Sequence, residues 1–274
     1  AVVGILEGKR HITCHSYVQS EVLMLMRLAE SYGFRVNTFT HILEGYKVAR
    51  EIKTPLVDEH YYRPPQWFLD NLHRYESYAR GGPLVYAGEY AAHETNRVNT
   101  LRSALAEAAY MTGLERNGDV VRLASYAPLL AKQGHTQWRP DMIYFDNTKI
   151  LLSANYYVQQ MFGRNAGDVY LPATVDATAT NVAVSCEQET KSGDVILKLV
   201  NVSTNSVVAK INLGAIAKVK SEATRTVLGG DPSAFNSFDK PDVVVPRTEP
   251  FRVSSSFACE LPAGSMTLIR MKIP

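Results

Sequence analysis

The sequence predicts an α/β part, layered or barrel-type, followed by an all-β sandwich. Three observations carry this reading. Up to about residue 165, short apolar runs alternate with helix-period segments, as in βα units. Beyond that point the runs are strand-like and are separated by Gly, Asn, Ser or Pro turns. The length of 274 residues suits one large or two medium domains.

Each element has a local reason. His11-Ile-Thr-Cys-His15 reads as a short strand. Residues 20–32 read as a helix that Gly33 ends. Residues 34–41 form a strand candidate and 45–53 a short helix. Residues 55–62 are a strand running into a polar end. Pro64 and Pro65 open the next helix, where a missing N–H costs little. Phe68, Leu72, Tyr75 and Ala79 then follow i, i+4, i+7, i+11 spacing, and Gly81-Gly82-Pro83 stops the run. Residues 84–88 are a buried strand by length and apolarity. Leu101, Leu105 and Ala108 mark a further helix that closes near Gly113, and Val120 to Leu130 is a strand and loop. In the last strand Ile269, Met271 and Ile273 alternate with Arg270 and Lys272, which predicts one buried face and one wet face.

Composition excludes several classes. Lys and Arg number 29 against 27 Asp and Glu, a balance unlike a basic nucleic-acid binder or an acidic disordered tail. No apolar run approaches the ~18 residues of a membrane helix. The start, Ala1-Val-Val-Gly, does not read as a signal peptide, and compartment stays open between bacterial cytoplasm and periplasm or secretion. Three cysteines are too few for a disulfide scaffold or a four-Cys zinc site, although Cys186 and Cys259 could pair. Asn201-Val-Ser203 is a glycosylation sequon by pattern.

Three stretches concentrate chemistry. Leu84-Val-Tyr-Ala-Gly-Glu-Tyr-Ala-Ala92 delivers Glu89 from a buried strand directly after Gly88. In parallel βα architectures such strand-end residues face the active-site mouth. Glycine there lets another group approach closely, and Tyr90 could bond or stack on a ligand. A strand-end salt bridge or helix cap is the alternative role for Glu89. Asp58-Glu-His-Tyr-Tyr62 sets two carboxylates, an imidazole and two phenols at the end of the preceding strand. That set suits sugar chemistry, or equally a solvated loop with Tyr anchors. In Gly134-His-Thr-Gln-Trp-Arg-Pro140, Gln137 and Trp138 read as ligand-facing, or Trp138 packs at a domain seam.

From about Thr54 to Pro274 the chain resembles glycoside hydrolase family 51, the α-L-arabinofuranosidases. The residues that carry the resemblance are VDEHYYRPPQWFLDNLHRYESYARGGPLVYAGEYAAH, LRSALAEAAYMTGLERNGDVVRLASYAPLLA and TQWRPDMIYFDN, in the family's order. The resemblance implies a (β/α)8 barrel with a C-terminal β-sandwich and a retaining mechanism. Glu89 matches the family nucleophile in its GEYA context. His60, Tyr61 and Tyr62 match the aromatic segment beside it, and Gln137 and Trp138 fall where the family contacts substrate. The family's Asn-Glu pair, whose Glu is the acid/base, has no counterpart, since no Asn-Glu dipeptide occurs in the chain.

In its place stands GKRHITCHSYVQSEVLMLMRLAESYGFRVNTFTHILEGYKVA, which resembles imidazolonepropionase-type amidohydrolases. His15 and His41 match two strand-end metal ligands of that family. Its His-x-His is absent, because His11 and His15 are spaced i, i+4. The chain thus reads as two barrel fragments: a partial (β/α)8 barrel over 1–165 (1–53 amidohydrolase-like, 54–165 arabinofuranosidase-like) and a sandwich over 166–274.

Three functions follow from these readings. The first is a retaining glycosidase acting on an arabinose-containing oligosaccharide or aryl glycoside. Glu89 would be its nucleophile, and Glu44, Glu59 or Asp58 the acid/base. A carbohydrate-binding remnant is the second, and a metal-dependent hydrolase using His15 and His41 the third. The glycosidase reading implies no cofactor, no nucleic acid and no membrane partner. A partial barrel exposes open strand edges, so the sequence also predicts a homo-oligomer that completes it.

Overall fold

Two units interleave along the chain in the computed structural model, which describes residues 2–40, 56–175, 181–214, 216 and 219–273. The first takes Ala1–Tyr62, Tyr75–Tyr90 and Asn117–Tyr126; the second takes Arg63–Arg74, Ala91–Arg116 and Ala127–Pro274.

The first unit begins with α1 (Val2–Leu6), β1 (Thr13–His15), α2 (Gln19–Tyr32) and β2 (Thr38–Thr40). β1 and β2 pair in parallel, with His15 opposite Thr40, so this is the βαβ unit the sequence predicts. Gly33 ends α2 with φ 68, a left-handed conformation that suits glycine. Val22 and Ala29 of α2 pack with Val36 and Phe39 as a small core. The expected strand over 34–41 is shorter, and the expected helix over 45–53 lies outside the described residues.

β3 (Leu56–Arg63), β4 (Leu84–Ala92) and β5 (Val121–Tyr126) form a three-stranded sheet in that order, with β4 and β5 parallel. Between β3 and β4 the structure corrects the sequence reading. The helix expected from Pro65 to Ala79 stops after α3 (Pro65–Asp70), and a 3-10 turn follows at Arg74–Ser77. Asn71 Nδ2 caps the Trp67 carbonyl at 2.8 Å. Tyr75 is drawn away to a buried hydrogen bond with Tyr61 at 2.9 Å, so helical spacing here did not mean one helix.

In the second unit α4 (Leu101–Arg116) is the hub. Every residue from Ser103 to Leu114 is buried, and its alanines permit close packing on all sides. The α3 rings meet it, with Phe68 edge-on to Tyr110 at 5.3 Å. β6 (Leu130–Lys132), β7 (Ile143–Phe145) and β8 (Ile150–Leu152) form a small mixed sheet. α5 (Ala154–Gly163) follows, N-capped by Ser153 Oγ, which accepts from Tyr156 N–H at 3.1 Å.

The sandwich joins two sheets. Strands β9 (Val169–Tyr170), β10 (Val182–Glu189), β11 (Asp194–Asn201), β13 (Glu222–Gly229), β14 (Arg247–Arg252) and β16 (Ser265–Lys272) make one, ordered β14-β13-β16-β11-β10-β9. β12 (Val207–Asn212) pairs antiparallel with β15 (Ser256–Leu261) as the other. Val195, Leu197, Leu199, Ile269 and Met271 meet Cys259 and Leu261 in the core between them. The inward alternation of Ile269 and Met271 is as the sequence predicts. The opposite face is not uniformly wet, because α4 packs on it and β11 is buried along its whole length.

On that covered face Lys198 is fully buried. Its Nζ bonds Glu187 Oε2 at 2.8 Å and also Glu115 of α4, and it lies 5.0 Å from the Phe162 ring centroid. Ser185 Oγ donates to Glu115 at 2.5 Å. Burial pushes the Glu115 carboxyl up, although Lys198 pulls the other way. Glu107, also buried, accepts from the Ala92 N–H at 2.7 Å. Burial pushes its carboxyl up to about 8 against that bond.

Two sequence possibilities close here. All three cysteines are free thiols, so Cys186 and Cys259 do not pair. Asn201 is fully buried, and its Nδ2 donates to the carbonyls of Asn205, Leu261 and Pro262, so the sequon offers no exposed amide.

Lys198→Met leaves two carboxylates facing each other in the interior and is expected to cost about 3–5 kcal/mol in urea unfolding. For Glu107 the folded pKa lies above the unfolded one. Its contribution to stability is therefore complete below pH ~4.5 and is lost as pH rises towards 8. Glu107→Gln should gain stability relative to the native chain across that window, read from melts at pH 5 and pH 8. A constant difference at both pH values would contradict the neutral buried carboxyl.

Candidate active site

Successive side chains of a strand point to opposite faces. On β3 this sorts Asp58, His60 and Tyr62 onto one face and Glu59 and Tyr61 onto the other. β4 lies beside β3 and carries Glu89. Tyr62 Oη donates to Glu89 Oε2 at 2.6 Å. His60 Nδ1 lies 3.3 Å from the same oxygen, and its Nε2 lies 3.1 Å from Asp58 Oδ2. The His60 and Asp58 side chains are 8% and 11% exposed, whereas Glu89 is 38% exposed. The arrangement is a row of charge that runs from a buried carboxylate to a solvent-reachable one.

Gly88 makes the row possible. A Cβ at this position would lie 2.0 Å from Asp58 Oδ1, so only glycine leaves room for the carboxylate. The backbone is pinned alongside, because Ser125 Oγ donates to the Gly88 carbonyl at 2.6 Å. Tyr86 Oη and Ser125 Oγ share a further hydrogen bond of 2.8 Å. A register shift between Ala87 and Tyr90 on the β5 side brackets Gly88 and Glu89.

Electrostatics agree with the geometry. Burial works against a charge on His60, but contact with Asp58 and the charges of Asp58 and Glu89 outweigh it and raise its pKa. Burial first, and then the bond to Glu89, raises the Tyr62 phenol well above its ordinary value, so it remains a donor. Tyr62 thus donates to the Glu89 oxygen that His60 Nδ1 also approaches.

The other sequence-predicted residues are distributed differently. Glu59 belongs to the opposite face of β3, where its oxygens accept from Tyr78 Oη at 2.8 Å and Tyr75 Oη at 3.1 Å. The pleat therefore places the Glu59 carboxylate in that phenol cluster. Tyr61 shares the cluster and is buried. Tyr90 is fully buried, with Tyr126 as a ring neighbour at 6.2 Å. Gln137 and Trp138 belong to the second unit and are exposed, Trp138 by 71%. Thr136 Oγ1 shapes their loop, accepting from the Trp138 N–H and donating to its carbonyl.

His15 is exposed at the end of β1, edge-on to Tyr17 at 5.1 Å. His41 and Glu44 lie outside the described residues. Among the described residues no group of three or more His, Cys, Asp or Glu side chains could hold a metal. The sequence offers Asp58 as an acid/base candidate, and the structure sets it against His60. Its pairing with His60 was readable from the i, i+2 spacing, but the dependence on Gly88 needed two strands in register.

Residues 83–265 match the family described as the alpha-L-arabinofuranosidase C-terminal domain. An extracellular exo-α-L-arabinofuranosidase of Streptomyces chartreusis is 53% identical over 134 residues, 49% of this chain and 16% of that protein. A probable α-L-arabinofuranosidase A of Aspergillus terreus is 34% identical over 217 residues, 78% of this chain and 33% of that one. The chain therefore spans a third or less of these relatives' length. Among solved structures, an arabinose-bound GH51 α-L-arabinofuranosidase superposes with TM-score 0.82 at 30% identity, covering 91% of this chain and 42% of that one. The Thermotoga maritima arabinofuranosidase, also in complex with arabinose, shares the fold with TM-score 0.72 at 14% identity, over 89% of this chain and 61% of that one.

Gly88→Ala must displace the Asp58 carboxylate or part β3 from β4. It is expected to lose about 1–3 kcal/mol of stability in urea titration. An unchanged midpoint would show that the close approach is not a constraint.

Proposed function

The chain belongs to the α-L-arabinofuranosidase C-terminal domain family, and on that premise we propose that it carries the nucleophile side of a retaining arabinofuranosidase site. One observation carries the reading: a solvent-reachable carboxylate, Glu89, stands on β4 with Tyr62 and His60 aimed at one of its oxygens. The relatives' names and the arabinose-bound structures support an α-L-arabinofuranoside as substrate.

The chemistry runs in two balanced steps. A Glu89 oxygen attacks the anomeric carbon as the bond from that carbon to the leaving oxygen breaks, and a carboxylic acid gives the leaving oxygen its proton. The product is a glycosyl ester of Glu89. Water then attacks the same carbon and loses a proton to the former acid, and the Glu89 carboxylate departs. Two donors on Oε2 orient the carboxylate for attack and receive it again when it leaves. Such a mechanism needs the second carboxyl about 5–5.5 Å from the first. Glu44 and Glu59 are the candidates this chain offers, and a second copy could supply one instead. In this reading the βα elements of residues 1–165 are barrel pieces completed by further strands or copies. Gln137 and Trp138 are sugar-contacting residues in this reading, and 166–274 is the sandwich.

The test is hydrolysis of p-nitrophenyl α-L-arabinofuranoside. Glu89→Gln should lose at least ~10³-fold in kcat, a nucleophile being harder to replace than an acid/base, whose loss costs about 10²–10⁴-fold. Glu44→Gln should slow aryl substrates less than oligosaccharides, because a good leaving group needs little protonation. EDTA should leave the rate unchanged. Turnover that survives in Glu89→Gln would refute the assignment. Binding of arabino-oligosaccharide without turnover in the native chain would favour a carbohydrate-binding remnant.

A further inference from the structure

We infer that Asp58 is a positioning residue for Glu89: it holds His60 so that the imidazole donates from Nδ1 to the nucleophile. The inference rests on the proposed role of Glu89 and extends it one residue inward. Four observations support it. Asp58 is the buried end of the row, and its Oδ2 lies 3.1 Å from His60 Nε2. His60 in turn lies 3.3 Å from Glu89 Oε2 through the other ring nitrogen. The Gly88 backbone, next to Glu89 in the chain, leaves a niche that the Asp58 carboxylate fills. Asp58 also shares its β3 face with His60 and Tyr62, so one strand presents both donors and the group that orders one of them.

The physical argument is one of orientation. An imidazole has two nitrogens, and the partner at one sets what the other can do. A carboxylate at Nε2 keeps a proton there and favours a second proton on Nδ1. His60 then bridges two anions as a cation and fixes one Glu89 oxygen with a charged donor, stronger than a neutral one. Without Asp58 the neutral ring can place its lone pair on Nδ1, facing the Glu89 carboxylate, and push it away. Among the described residues, the charged groups at His60 are Asp58 on its own strand and Glu89 on β4. Positioning groups of this kind cost about 10–100-fold in activity when removed.

Asp58→Asn keeps shape and removes the charge. In the full chain it is expected to lower kcat on p-nitrophenyl α-L-arabinofuranoside 10–100-fold while KM stays within about twofold. Nitrogen-15 NMR of the imidazoles supplies a readout that does not need turnover. In the native chain both His60 ring nitrogens should carry protons near neutral pH. In Asp58→Asn the His60 titration midpoint should fall by at least one unit, with His15 and His135 unmoved. A native kcat in Asp58→Asn, in a protein that Glu89→Gln inactivates, would overturn the inference. So would an unaltered His60 titration. If Glu89→Gln stays active, the nucleophile assignment fails, and the NMR comparison still decides whether Asp58 governs His60.

Discussion

The pleat of β3 is the constraint on which the site depends. Five polar side chains in a row cannot all face one way. Alternation sends Asp58, His60 and Tyr62 to the face shared with Glu89, and Glu59 and Tyr61 to the face shared with Tyr75 and Tyr78. A one-residue slip of register would exchange the two sets and replace an ionic row with a phenol cluster. Gly88 adds the second half of the constraint, because the row closes only where β4 lacks a side chain.

A different economy governs the second unit. α4 carries almost no wet surface, yet it brings two carboxylates indoors. Glu115 is matched by Lys198, which also takes Glu187, so the charge group is paired before it is buried. Glu107 meets the Ala92 N–H and the Asn155 side chain and resolves its burial by holding its proton. Both solutions tie α4 to strands, and the Glu115–Lys198 pair lies on the sheet face of β11 that α4 covers. The amphipathic alternation of β16 is real at Ile269 and Met271 and fails on the reverse side, where Leu268 and Met266 are buried as well.

Local signals were legible wherever a short-range cause acted alone. Gly33 ends α2 as read, Pro65 opens α3, and the Val-rich runs after residue 180 become strands. The strand before Glu89 was legible too, but it does not end there: β4 runs on through Glu89 to Ala92. The reading failed where a long-range partner outbid the local pattern. Tyr75 has helical spacing with Phe68, but its hydroxyl bonds Tyr61 from another strand, and the helix breaks. The burial of Tyr90 beside the Tyr126 ring was likewise not readable from its place after Glu89.

By itself, the sequence determined the order of βα elements before strands, the identity of the chemistry-bearing stretch around Glu89 and the family it matches. These depend on residue type and on spacings of a few residues, which sterics and hydrogen bonding translate directly into local structure. Only the tertiary structure decided which carboxylates share a face: Asp58 and Glu89 both approach His60, whereas Glu59 meets Tyr75 and Tyr78. It also decided that Asn201 is sealed and that Cys186 and Cys259 stay apart. The physical reason is that these outcomes depend on register and approach between strands distant in sequence, where a single absent Cβ at Gly88 admits or excludes a charge.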